Sequence, residues 1–424
     1  MLAFIVLFVL SVTIFSCALL WKNRILNPTL LFILFSGVFS QGVIFNLNLM
    51  REDDYQHLFS IVLFFIAIFI HVLISHNYKR EIYISRVWAA KTPVPDKQEK
   101  FISLVLALLI CALIIFIYFQ YLVGYNLFFL ALSGGSEDFT SARLASYSGD
   151  TYTGAGVVNQ FKNTIYPISY FALSFAIAAK YGKLALSIFL VLTIPFFLWS
   201  ILGTGQRTHF FFCITSLLLF LFYTGKLQLK YLIPIISTFL ILFTIFSVAL
   251  GRTKDITLLD GFSELLSRVF LDNQIGTIEG FRYIYNIPIQ YGTEWARVLF
   301  GYIPGVKGSD LSHKVFEYMY GTSRGTAPIA LWASIYHNYG IIGVPFVTLL
   351  LLKLIELSRV MLIVVPKSNF WVMFLSFLFF YIGIIPATEP FQILNNGLFG
   401  LIFLYFVYGV HLDRRGLFFR LSPR

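Results

Sequence analysis

Residues 101–123 read FISLVLALLICALIIFIYFQYLV, a run with no charged side chain. A helix of ~20 apolar residues crosses the ~30 Å hydrocarbon layer of a bilayer, so this run is read as a membrane span. Working outward, cuts at clusters of charge, glycine and proline leave eleven apolar segments, at about 2–20, 28–49, 58–76, 101–123, 157–179, 184–202, 209–224, 231–250, 339–358, 369–386 and 393–411. The composition agrees: 58% of the 424 residues are hydrophobic, only 12% are charged, and there are 48 Phe and 24 Tyr. That excludes a soluble globular domain. The expected fold is an all-α polytopic integral membrane protein of about eleven transmembrane helices.

An odd number of spans puts the termini on opposite sides, and the Lys and Arg bias of the loops assigns the sides. With the N-terminus outside, the inside loops are WKNRILN (21–27), NYKREIYISRVWAAKTPVPDKQEK (77–100), KYGK (180–183), GKLQLK (225–230), 353–368 and the tail DRRGLFFRLSPR (413–424). They hold 19 of the 31 basic residues and five of the 20 acids, so the net charge of +11 divides into about +14 inside and −3 outside. The basic excess is therefore a topology signal, and no nucleic-acid partner is implied. No positive residue precedes the first segment, whereas Lys22 and Arg24 follow it, the pattern of an anchor rather than a cleaved signal. Cys17, Cys111 and Cys213 fall in apolar spans at no metal-ligand or CxxC spacing and read as small buried hydrophobes. No metal or cofactor is implied.

Two outside segments are longer than connectors need to be: 124–156 and 251–338. The chain accordingly divides into an N-terminal bundle (1–250), a large extracytoplasmic helical loop (251–338), and C-terminal spans with a basic tail (339–424). The stretch DGFSELLSRVFLDNQIGTIEGFRYIYN (260–286) spaces apolar residues three to four apart, and its aromatics suit a lid lying on the membrane interface. Outside, Arg outnumbers Lys eight to four; inside, eight Arg accompany eleven Lys. Arg grips a carboxylate or phosphate with a planar fork, so the bias favours an anionic ligand outside.

The break SILGTGQRTHFFF (200–212) places Gln206, Arg207 and His209 between two apolar runs. GTGQRT lacks the third glycine and the βαβ surroundings of a dinucleotide site. Two readings remain: a turn whose Arg207 snorkels to headgroups, or a glycine-lined approach to a phosphate with Arg207 aimed at it. In the second, His209 merely opens the next span. Arg252, in SVALGRTKD, and Arg143, in FTSARLASYSGD, lie at an outside span end and in an outside loop, and Arg324 closes the large loop. Each alone is a solvated charge; together they suit one diphosphate, where charge-assisted contacts in low dielectric are strong.

The loop ends in GTSRGTAPIALWASIYHNYGIIGVPFVTLLLL (321–352), which places His337 beside Asn338 and Tyr339 at the outer mouth of the bundle. His337 is either a hydrogen-bonded interface residue or a general base, a role its near-neutral ordinary pKa suits. His313 reads as solvated surface and His71 as a packed imidazole within a span. REDD (51–54) could bind a metal or act as a base, although a solvated turn explains it more simply. Glu389 is a lone acid in the last outside loop, near Asn395 and Asn396; Asn338, Tyr339 and Glu389 are the candidate glycan contacts.

Taken together, the span plan, the GTGQR break before an aromatic span, Arg252 at the end of the next span, the long outside loop and the closing YHNYG resemble the Wzy-type oligosaccharide repeat-unit polymerases of bacterial inner membranes. The resemblance covers about 140–350 and rests on short motifs. It implies a fold related to the integral-membrane (C-type) glycosyltransferases and the O-antigen ligases, with a periplasmic N-terminus and a cytoplasmic C-terminus. It implies an undecaprenyl-diphosphate-linked oligosaccharide as substrate, the bilayer as surroundings, and a chain-length regulator and a flippase as partners. Carried onto this chain, Arg207 and Arg252 hold the diphosphate, Arg143 and Arg324 assist, and His337 takes the acceptor hydroxyl proton. The rivals are an O-antigen ligase, which shares the His-Asn feature, and a transporter of lipid-linked oligosaccharide. A transporter would show two similar halves and polar residues at mid-membrane; here the long loops are unequal.

Overall fold

A computed structural model describes residues 2–21, 27–75, 78–91, 101–132, 155–205, 207–227, 273–301, 306, 308–322, 325–327, 329–388 and 394–413, with isolated positions at 234, 237, 238, 241, 263 and 267. It is all-helical, and no strand occurs among the described residues. The helices are α1 (Leu2–Trp21), α2 (Pro28–Asn46), α3 (Glu52–Ser75), α4 (Tyr78–Ala90), α5 (Phe101–Ile117), α6 (Leu127–Leu132), α7 (Ala155–Gln160), α8 (Tyr166–Leu202), α9 (Arg207–Tyr223), α10 (Asn273–Tyr285), α11 (Thr293–Phe300), α12 (Leu311–Tyr320), α13 (Leu331–Ser358), α14 (Met361–Val364), α15 (Asn369–Gly383) and α16 (Phe399–Asp413).

Among the described residues seven helices are long and apolar enough to cross a membrane: Leu2–Leu20, Pro28–Asn46, Glu52–Ser75, Phe101–Val123, Val157–Leu202, Leu331–Val364 and Asn369–Ala387; His209–Tyr223 is a shorter apolar helix. This is the architecture of a polytopic membrane protein. The difference from eleven segments has identifiable sources. Segments 157–179 and 184–202 fall in one continuous stretch, segment 231–250 lies almost wholly outside the described residues, and segment 393–411 becomes a π turn, Leu394–Leu398, followed by the short α16.

The helices pack in two groups. In one, α1, α2, α3, α10 and α13 surround Phe32, Phe64, Phe65 and Trp332; in the other, α5, α8, α9, α15 and α16 surround Phe119, Phe220, Phe377 and Phe379. α2 and α15 pack on each other and join them. In lipid the association of helices depends on close packing and hydrogen bonds more than on apolar burial. Gly37 brings α2 onto α1, where a Cβ would stand 2.6 Å from Thr13. The helix starts are capped by sequence: Asn27 accepts the Leu30 amide at 2.9 Å ahead of Pro28, and Ser368 accepts the Trp371 amide at 3.3 Å.

Two glycines reverse the chain. Gly182, at φ +86° and ψ 179°, breaks α8, and the halves fold back on each other: Tyr170 stacks on Phe197 at 4.7 Å, and the hydroxyls of Tyr170 and Thr193 lie 3.0 Å apart. The KYGK turn thus separates two antiparallel helices, as the charge pattern requires. Gly340, at φ +68° and ψ −173°, breaks α13 in nearly the same conformation. Trp332 meets His57 and Phe64 on α3, while Glu356 lines a cavity with His71 and Ser75 at the other end of α3. Twenty-four residues of straight helix would rise ~36 Å, well beyond the spacing of those partners. The piece 331–339 therefore starts inside the bundle, climbs to its end and turns at Gly340, from which 341–358 runs back along α3.

α15 also ends inside the bundle. It begins beyond α14, on the side where α2 begins, because Lys91 after α4 donates to the carbonyls of Leu362, Ile363 and Val365 at 2.9, 2.6 and 2.5 Å and Asn27 shares a cavity with Ser75 and Arg359. Its last residue, Gly383, lies against Leu31 and Phe35 in the first turns of α2, far from Asn46 at the opposite end. The chain then continues through a 3-10 turn, Ile385–Ala387, packed on α2.

Candidate functional site

The GTG break is held against the start of α6. Leu127 N donates to Gly203 O at 2.9 Å, Asn126 Nδ2 donates to Trp199 O at 3.0 Å, and a Cβ on Gly203 would stand 2.6 Å from both Asn126 and Phe119. Gly205 turns at φ +68° and donates its N–H to Leu202 O at 2.8 Å. α9 starts two residues later at Arg207. The glycines therefore permit a close backbone approach and a left-handed turn. The break is enclosed within the protein, with Gly203, Thr204 and Gly205 all buried.

Opposite it runs a π-helical turn, Phe161–Ile165. The wider i to i+5 turn presents consecutive side chains to one interior space, a geometry that recurs at functional sites. Lys162, Asn163 and Thr164 are all buried, at 1, 2 and 0% exposure. Lys162 Nζ donates to Thr204 Oγ1 at 3.1 Å, and Asn163 Nδ2 lies 3.3 Å from His209 Nε2. Thr164 Oγ1 donates to Gly397 O at 2.9 Å and lies 3.2 Å from the Tyr381 hydroxyl. Gln160 binds both sides of the second π turn: its Nε2 donates to Leu394 O and its Oε1 accepts from Gly400 N, each at 2.8 Å. A Cβ on Gly397 would strike Thr164. Four chain segments thus enclose a polar chamber in a bundle that is otherwise packed with Phe and Leu.

The His337 region is a second polar site. Gly340 is pressed against Ile289, and Gly292, at φ +83°, against the Tyr339 hydroxyl, so the loop 288–293 lies across the reversal. Gln290 N donates to His337 O at 3.0 Å. Asn338 Nδ2 donates to Ser334 O at 3.0 Å and Asn338 Oδ1 accepts from Trp295 N at 3.4 Å, while Trp295 Nε1 donates to Ser334 Oγ at 2.8 Å. Tyr339 meets the Trp295 ring edge-on at 5.3 Å and stays exposed. Glu294 is buried, hydrogen-bonded by Ser309 and paired with Arg297 at 3.3 Å. His337 is buried, and its Nδ1 has no hydrogen-bond partner among the described residues.

The structure places the expected residues unevenly. His337, Asn338 and Tyr339 come together at one reversal. Arg207 is the first residue of α9, at the edge of the chamber, and its side chain lies outside the described residues. Arg252, Arg143, Arg324 and Glu389 also lie outside the described residues. No hydrogen bond or ion pair among the described residues joins the chamber to His337.

Two sequence readings change. His209 does more than open a span, because it is buried and paired with Asn163. REDD is not a solvated turn: Asp54 is fully buried and gripped by Arg282, while Asp53 pairs with Arg51 at 2.7 Å. The hydrogen bond that Arg282 donates to Asp54, reinforced by the carboxylate charge, holds the guanidinium above its ordinary pKa. Lys162, Asn163 and Thr164 were missed altogether, yet QFKNT, residues 160–164, is a dense polar knot at the head of an apolar run and could have been found as such. Among known proteins, no protein-family model, no curated protein and no solved structure matches this chain.

Proposed function

We propose that this protein is a glycosyltransferase that polymerises undecaprenyl-diphosphate-linked oligosaccharide repeat units into O-antigen or capsular polysaccharide. It would act on the periplasmic face of a bacterial inner membrane, with eleven spans, an outside N-terminus and a cytoplasmic tail. The observation that carries the reading is the gathering of polar side chains around the Gly203–Gly205 turn inside an apolar bundle, an arrangement suited to a charged headgroup beside lipid. The His337–Asn338 reversal, clamped by loop 288–293, supports a separate place for the acceptor sugar, with Tyr339 exposed beside it and Glu389 as a further glycan contact. Asn338, expected as a glycan contact, is fully buried and spent on Ser334 and Trp295, so it shapes the reversal instead.

In the proposed reaction a hydroxyl at the non-reducing end of one repeat unit attacks the anomeric carbon of a diphosphate-linked chain. The new glycosidic C–O bond forms as the bond to the diphosphate oxygen breaks, and undecaprenyl diphosphate leaves with the electron pair. His337 takes the hydroxyl proton. Diphosphate is already a good leaving group, so the chief demand is stabilisation of growing negative charge, a task for Arg207 and Arg252 with Arg143 and Arg324. Direct displacement inverts the sugar carbon.

Purified protein in liposomes with a synthetic lipid-diphosphate repeat unit tests the reading. Laddered products that vanish in Arg207→Ala and Arg207→Lys are the expected result. Translocation without ladders would replace the polymerase by a transporter, and reaction only with an added core acceptor would replace it by a ligase.

A further inference from the structure

Lys162 is a buried amine with little to answer it among the described residues. Its ammonium offers three N–H donors, is 1% exposed, and makes one hydrogen bond among the described residues, to Thr204 Oγ1. No carboxylate among the described residues pairs with it, whereas Arg51, Arg282, Arg297, Lys314 and Lys353 each have an acid in place and the half-buried Lys91 has three carbonyls. A buried charge without a partner is strongly unfavourable, so a buried lysine is either neutral or completed by an anion. Beside it, His209 is 4% exposed and bound through Nε2 to Asn163, which leaves Nδ1 buried without a partner among the described residues. Lys162 meets Thr204 of the Gly203–Gly205 turn, and His209 lies in the first turn of α9, which departs from it and presents the positive dipole end of a helix start.

We infer that Lys162, with His209 and the start of α9, is a binding site for a diphosphate group, and that Lys162 is the inner phosphate ligand. The inference rests on the diphosphate reading of the chamber and adds to it a residue that motif reasoning assigns no role. The π turn has the purpose of placing Lys162 and Asn163 side by side, one on Thr204 and one on His209. Thr204 holds the ammonium in position while the two remaining N–H donors face the ligand. A phosphate oxygen supplies the missing acceptors and the missing charge together.

The test uses the full-length protein in detergent, with farnesyl diphosphate, inorganic pyrophosphate and phosphatidylglycerol as probes. Farnesyl diphosphate should bind, inorganic pyrophosphate should compete with it, and phosphatidylglycerol should not. Lys162→Met should raise the Kd for farnesyl diphosphate at least tenfold. It should also raise the Tm of the empty protein and abolish the further rise in Tm that pyrophosphate gives the wild type. A merely structural lysine behaves oppositely: its loss lowers the Tm of the empty protein or unfolds it, and either result overturns the inference. An unchanged Kd in Lys162→Met, or competition by phosphatidylglycerol alone, also overturns it. The two proposals fail separately. Lys162-dependent pyrophosphate binding without ladders would leave this site standing and remove the polymerase, whereas normal ladders from Lys162→Met would do the reverse.

Discussion

Arg282 grips Asp54 with two nitrogens, Nε to Oδ1 at 2.8 Å and Nη2 to Oδ2 at 2.6 Å, and Asp54 is fully buried. The pair fastens α10, from the long loop, to the first turn of α3, and Asp54 also accepts the Asn48 amide at 2.7 Å. Arg282→Ala would leave a buried carboxylate unanswered, at a cost of ~3–5 kcal/mol. Thermal unfolding in detergent should show a large drop for Arg282→Ala, and Asp54→Asn/Arg282→Gln should be milder than the sum of the singles. Additive losses would mean that the two residues act independently.

Gly182 and Gly340 share a backbone conformation and differ in surroundings, which gives a matched pair of substitutions. Around Gly182 there is open space, so Gly182→Ala should cost only the backbone strain, ~1–2 kcal/mol. At Gly340 a Cβ would also stand 2.8 Å from Ile289, so Gly340→Ala should be the more destabilising and should loosen loop 288–293. Limited proteolysis within 286–293 reads that loosening directly. Equal effects at the two glycines would refute the clamp.

Trp332 Nε1 donates to His57 Nε2 at 2.9 Å, and the His57 ring stacks on Phe281 at 4.2 Å with planes 3° apart. His57→Phe keeps the stack and leaves a buried indole N–H without an acceptor, for which a loss of ~1–3 kcal/mol is expected. Combining it with Trp332→Phe removes the orphan and should restore part of the Tm. A double variant less stable than the sum of the singles would argue for packing alone.

His337→Ala is expected to slow ladder formation by ~10²–10⁴-fold, the usual contribution of a general base. Asn338→Ala removes the bonds to Trp295 N and Ser334 O and should act mainly through stability, by ~1 kcal/mol. Gel assay of the ladder and thermal unfolding of the same preparations separate the two. If His337→Ala retained the wild-type rate, the proton would have to leave by another group.

A span such as 101–123 was legible because an uncharged run of that length has only one physical outlet, and KYGK was legible because charge marks a turn; of the eleven expected segments, seven long apolar helices stand among the described residues. The interior breaks were harder. The sequence of α13 reads as a loop followed by a span, yet Leu331 and Trp332 are fully buried, because a short climbing helix before Gly340 has the same apolar composition as the span after it. Arg207 could be picked out as a charge in a polar break. Lys162 could not be ranked by the same reasoning, since a lysine in the first turn of a span reads as an interfacial residue, and only the π turn and the distant Thr204 bury it. Asp54 was misread for the same reason: its partner is 228 positions away.

The stop of α15 at Gly383 has a consequence for hydration. Helix ends leave backbone carbonyls without intrahelical partners, and hydrocarbon supplies no donors for them. α15 ends, the π turn at Leu394–Leu398 begins and α9 starts within the bundle, and at Gly383 part of the demand is met by the 3-10 turn, where Ile384 N donates to Phe380 O at 3.1 Å and Ala387 N to Ile384 O at 3.0 Å. α15 itself rises ~22 Å over its fifteen residues, and its aromatic rings plug the bundle on the side of α15 that leads up to Gly383. The plug consists of Phe374, Phe377, Phe379 and Phe380, all buried, and replacing one of them by a small polar residue should let protons leak through the bilayer before it unfolds the protein.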